Sequence, residues 1–136
     1  AHPEKAGAFF VLDRQKDRKS KLHLFTFDGK SIKSASGFPL TLEVGDANDI
    51  PEIGLAAASW QNDSILVTVT DAEKNQVIEL LIEDGKITKT NVLTAPTGMF
   101  VGDATLNRPS DVAYVVTSQG IELYAIDGKD RIVRLR

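Results

Sequence analysis

The chain has 136 residues, 42% hydrophobic and 26% charged, which suits one globular domain with enough apolar material for a core. Its net charge of -3 and pI near 5.3 give no basic footprint of the kind that nucleic acid or an anionic membrane requires, so neither is expected as a partner. With no cysteine the chain can form no disulfide, thiolate metal site or Cys nucleophile, and no run approaches the length of a transmembrane helix.

The opening residues, Ala1 to Lys5, carry neither the charged n-region nor the apolar h-region of a signal peptide; they read either as a mature end left by cleavage or as an arbitrary boundary. A first extended run follows at Phe9 to Leu12. Beyond it, Arg14 to Lys21 is a basic stretch in which Arg14 and Lys16 are candidate phosphate ligands, since clustered Lys and Arg can clamp phosphate oxygens. The same stretch also reads as a solvated hairpin tip. Next comes Leu22–Lys30, the first of three copies of a strand-plus-turn pattern, followed by a short half-polar run at Ser31 to Ala35.

Between Glu43 and Glu52 the chain gathers Glu43, Asp46, Asp49 and Glu52, with Asn48 as a neutral oxygen donor. Hard cations favour six to eight oxygen ligands, which makes Asp46, Asp49 and Glu52 the best calcium candidates, although the spacing is not that of an EF-hand. An inter-strand loop with an Asx turn is the other reading. A further strand is expected at Ile53 to Ser59, ending against the single tryptophan, Trp60, for which core packing is expected. Strands at Ile65 to Thr70 and Ile87 to Val92 flank the second copy, Ile78–Lys86; a run at Met99 to Ala104 and strands at Val112 to Thr117 and Arg131 to Leu135 accompany the third, Ile121–Lys129.

The copies align without a gap, placing Asp28, Asp84 and Asp127 in one column and Gly29, Gly85 and Gly128 in the next. Asp-Gly tolerates the positive φ angles of a type I′ turn, so each copy predicts a hairpin. His23, Glu79 and Glu122 share another column, where a polar residue signals an outward face. The whole is expected to be all-β, built from antiparallel four-stranded meander repeats at approximately 1–38, 50–95 and 98–136 in a single domain. Meanders spaced by roughly 40 to 55 residues are the signature of propeller blades, and closed propellers need about four to eight of them. About three blades are present, an incomplete, open propeller whose edges must be covered. An adjacent propeller domain of the same polypeptide or a second copy of the chain is the implied partner; the alternative to a dimer is an edge blocked by charge, with Lys129, Arg131, Arg134 and Arg136 as its gatekeepers. Two histidines and no cysteine leave little for a Ser/His/Asp triad or a zinc site; His23 is expected at the surface and His2 at a frayed end.

The stretch Val115 to Lys129, the Ala56 to Ser59 strand, and Ala1 to Lys5 with Leu12 to Arg14 and Leu24 to Lys30 together resemble blades of the β-propeller phytases. The resemblance implies a secreted or periplasmic location, calcium as cofactor, and phytate as the molecule acted on. It also shows departures: no aspartate pair precedes His2, Arg14 stands where the family has a lysine, and Gln61 stands where an arginine is expected beyond the Ala-Ala-Ala-Ser run. The chain is most similar to the incomplete, accessory N-terminal propeller portion of dual-domain members, which implies a non-catalytic module supporting phytate hydrolysis by a neighbouring propeller. The alternatives are an interaction scaffold that closes a propeller by dimerisation and a divergent calcium-dependent phosphatase.

Overall fold

The computed structural model describes residues 1–3, 5–45, 53–95, 105–128 and 131–136, and within them the chain is all-β, with eleven strands in three open antiparallel sheets and no helix. The first sheet holds β1 (Ala8–Asp13), β2 (Ser20–Phe27), β3 (Ile32–Ser34) and β4 (Leu40–Leu42). The second is a four-stranded meander of β5 (Leu55–Ser59), β6 (Ile65–Asp71), β7 (Gln76–Glu83) and β8 (Lys86–Leu93). The third is a three-stranded meander of β9 (Asp111–Thr117), β10 (Gly120–Ile126) and β11 (Ile132–Arg134). The expected run at Met99 to Ala104 lies outside the described residues.

Each repeat copy forms the strand and turn of an antiparallel pair, as the pattern predicts, but only one takes the expected turn. Asp84 and Gly85 have φ of 51° and 72° and join Glu83 to its partner Lys86 as a two-residue hairpin of the type I′ kind. In the first copy Phe27 pairs with Ile32 across a longer loop, which Asp28 closes by accepting hydrogen bonds from the backbone N–H groups of Lys30 and Ser31, each at 2.9 Å. In the third, Ile126 pairs with Ile132, and Asp127 turns inward.

The second sheet lies between the other two. Alternation along a strand sends successive side chains to opposite faces, so two apolar faces demand two partners. Ile65, Val67 and Val69 of β6 and Ile78, Leu80 and Ile82 of β7 pack with Phe10, Leu22 and Leu24 of the first sheet. From the other face, Ala56 and Val77 pack with Val112, Leu123 and Ala125 of the third. All seven residues of β6 are buried as a result. At Gly54 the backbone leading into the second sheet runs close against the third: a Cβ there would lie 2.5 Å from the Cα of Asp111.

The repeat columns do not keep one direction. Leu80 faces the first sheet and its column partner Leu123 faces the second, a consistent backward-facing step. Leu24, in the same column, instead faces forward onto the second sheet. The first sheet is therefore turned over relative to the other two, because its aliphatic side, extended by Leu42 and Val44, is the one buried, while Phe9, His23 and Phe25 lie on the outer side. Its third position is also shared, since β3 pairs with Phe25–Phe27 and β4 with Ser20–Leu22 along one edge of β2.

The turn at Gly85 abuts the first sheet: an added Cβ would sit 2.6 Å from the Ser36 carbonyl oxygen, and a β-branched residue also strains a positive φ. Gly85→Val is expected to lower stability by more than about 2 kcal/mol. Thermal unfolding checks this, and a melting temperature equal to the parent's contradicts the turn.

Candidate functional site

Among the described residues, a cluster of chemically capable side chains sits between the second and third sheets. Thr68 on β6 and Glu79 on β7 are cross-strand partners on one face, and both are buried, Glu79 to 1% exposure. A carboxylate there needs compensation, because a buried charge without a partner is costly. It receives hydrogen bonds from the Tyr114 hydroxyl at 2.8 Å, Nη2 of Arg136 at 2.6 Å and Nδ2 of Asn91 at 3.4 Å. Tyr114 also shares a hydrogen bond with the Thr68 hydroxyl. The Arg136 guanidinium lies 5.3 Å from the ring centre of Trp60, in cation–π range. Burial pushes the Tyr114 phenol far above its ordinary pKa; the Thr68 hydrogen bond opposes this and Glu79 reinforces it.

A second buried acid ties the first sheet to the second. Arg18, in the β1–β2 loop at φ 62°, reaches Asp71 at the end of β6 in a bidentate pair, Nη1 to Oδ1 at 3.0 Å and Nη2 to Oδ2 at 2.7 Å. Arg18 also binds Glu73 at 2.6 Å and the Glu43 carbonyl at 2.8 Å, and Gln76 donates to Asp71 at 3.0 Å. The Asp71 hydrogen bonds raise the Arg18 pKa above its ordinary value, against the opposing effect of burial. Asp127, the third buried acid, takes Nε and Nη2 of Arg131 at 2.8 and 2.7 Å.

The residues singled out from sequence fall elsewhere. Arg14 lines a shallow groove on the outer side of the first sheet with Val11, Asp13, His23 and Phe25, and Lys16 is exposed in the adjoining loop. Arg18, from the same basic run, is anchored by Asp71 and Glu73. Asp46, Asp49 and Glu52 lie outside the described residues, and among the described residues no group of three or more acidic or histidine side chains is arranged to hold a metal. Glu79 corrects the outward reading of its column: with both faces of the second sheet covered, a polar residue there is buried. Trp60 is 37% exposed under Arg136 rather than in the core. His2 is tied down, stacked on Phe10 and accepting the Lys5 backbone N–H at Nδ1. Arg131, Arg134 and Arg136 are ion-paired with Asp127, Glu122 and Glu79; Lys129 lies outside the described residues.

These features define an all-β protein of three stacked sheets joined by arginine–carboxylate contacts. No protein-family model, curated protein or solved structure matches the chain.

Breaking one partner of a buried ion pair leaves the other uncompensated, so Glu79→Ala is expected to destabilise the fold by about 3 to 5 kcal/mol, measured by urea denaturation. A loss below about 1 kcal/mol contradicts the buried network. Tyr114 gives a pH signature. The unfolded chain releases its phenol proton at about pH 10 while the folded chain retains it, so the unfolded state binds fewer protons above that pH. Stability should hold below about pH 10 and fall as pH rises further, with Tyr114→Phe less stable at neutrality but showing a shallower alkaline decline. An equally steep decline in Tyr114→Phe contradicts the assignment.

Proposed function

We propose that the chain is a non-catalytic β-sheet module, an incomplete propeller portion of a phytase-like secreted phosphatase, which supports the catalytic propeller in phytate hydrolysis. The observation that carries the non-catalytic reading is the commitment of the buried acids among the described residues: Asp71, Glu79 and Asp127 are each engaged by an arginine that joins sheets or closes a turn. A group serving as a metal ligand or general base needs a free lone pair directed at substrate, and these are spent on structure. The phytase part of the reading rests on the sequence resemblance. Its propeller part is supported by the backward-facing step that Leu80 and Leu123 share, with the first sheet as a reversed member.

Phosphoryl transfer depends on electrostatic neutralisation of the transferred group, and Gln61 in place of an arginine removes one contribution. Arg14 and Lys16, exposed beside one another in sequence, are retained as phosphate contacts, and Asp46, Asp49 and Glu52 as calcium ligands whose oxygens suit a hard cation. The purified chain is expected to release no phosphate from phytate in millimolar calcium, while calorimetry gives a calcium signal that Asp46→Ala or Asp49→Ala abolishes. Phosphate release proportional to protein concentration, and lost in those two variants, overturns this reading in favour of a divergent calcium-dependent phosphatase.

A further inference from the structure

The central strands of the second sheet are covered on both sides, but the first and third sheets each turn one face outward, and each of these faces carries an apolar patch rimmed by charge. On the first sheet, Phe9 pairs with Phe25, Val11 with His23 and Phe27 with Ile32; Phe27 is 50% exposed and Ile32 60%. Their rings form a ladder, with Phe9 and Phe25 centred 5.8 Å apart and His23 stacked on Phe25 at 5.1 Å. On the third sheet, Ala113, Tyr124, Ile126 and Ile132 line an open trough of about 250 Å³, and Ile132 is 73% exposed. Contiguous apolar faces of this kind mark interaction surfaces.

We propose that these two faces bind each other between two copies of the chain, the outer face of the first sheet of one against the outer face of the third sheet of the other, in both directions at once. The rims are opposite in sign: Arg14 and Lys21 border the first face, and Asp111 and Glu122 the other, with Asp13 and Arg134 as the minority charges. Glu122 is held on the third face by the Tyr124 hydroxyl at 2.6 Å and by Arg134 at 3.6 Å, and Asp111 lies further along the same face, so Arg14 and Lys21 of a second copy meet acidic side chains there. Such a contact is head-to-tail, and two reciprocal contacts close it into a ring of six sheets with no apolar face left outward. This pairing goes beyond the module reading and stands independently of phytate or calcium.

Light scattering on the full chain at about 100 µM, where a micromolar dimer is formed, is expected to give a dimer. Phe25→Glu on one face and Ile132→Glu on the other should each weaken the dimer at least about a hundredfold, because either substitution damages both contacts. Mixing the two variants should restore a heterodimer through the one contact that remains intact. Val11→Lys and Val115→Lys, at positions 39% and 44% exposed, repeat the test should either glutamate variant fail to fold. A monomeric parent overturns the proposal. So does a parent-like dimer in either single variant, which indicates like faces meeting, or an open polymer, which excludes closure.

Discussion

β6 and β7, in the middle of the second sheet, are covered on both faces, where no water solvates the polar groups they carry, and each holds one buried acid. Asp71 and Glu79 sit on adjacent strands and point to places where neighbouring sheets must answer them. Arg18 answers from the first sheet; Tyr114 and Arg136 answer from the third. Apolar burial drives the stacking but is non-directional, whereas these pairs work in one register only. The arrangement thus combines greasy contacts that favour association with hydrogen-bonded charges that select how the sheets meet.

Identical local sequence does different work in each sheet. Asp28, Asp84 and Asp127 occupy one column, yet the first caps a loop from the solvent side, the second adopts a left-handed turn conformation, and the third is buried against Arg131. The turn residues permit each outcome, and the point at which the next strand begins selects one. Gly85 leads directly into the strand residue Lys86 and closes a tight hairpin, whereas β3 and β11 begin only at Ile32 and Ile132.

Strand positions are largely legible in the sequence, because each copy brings a short β-branched or aromatic run bounded by turn residues, and the antiparallel pairing of neighbours follows from their proximity. β4 leaves no comparable trace, being only three residues long and starting directly after Pro39. Glu79 misleads because a polar residue in an alternating strand normally marks a solvated face, and only the covering of both faces reverses that rule. The anchoring role of Arg18 depends on a pairing with Asp71 across distant sequence, which no periodicity encodes. The reversal of the first sheet is equally invisible: Leu22 and Leu24 match Ile78 and Leu80 column for column, and the matching says nothing about which neighbour the column faces.

The fold thus has a middle layer packed on both sides and two outer layers that each turn one face outward. The second sheet is the two-sided core to which the others are fastened. Native-state hydrogen exchange tests this most directly, since amides in the most deeply packed layer open only with global unfolding. The β6 and β7 amides are predicted to exchange slowest, with those of the first and third sheets opening at lower free energy. Amides of β2 or β10 that outlast those of β6 and β7 would contradict it.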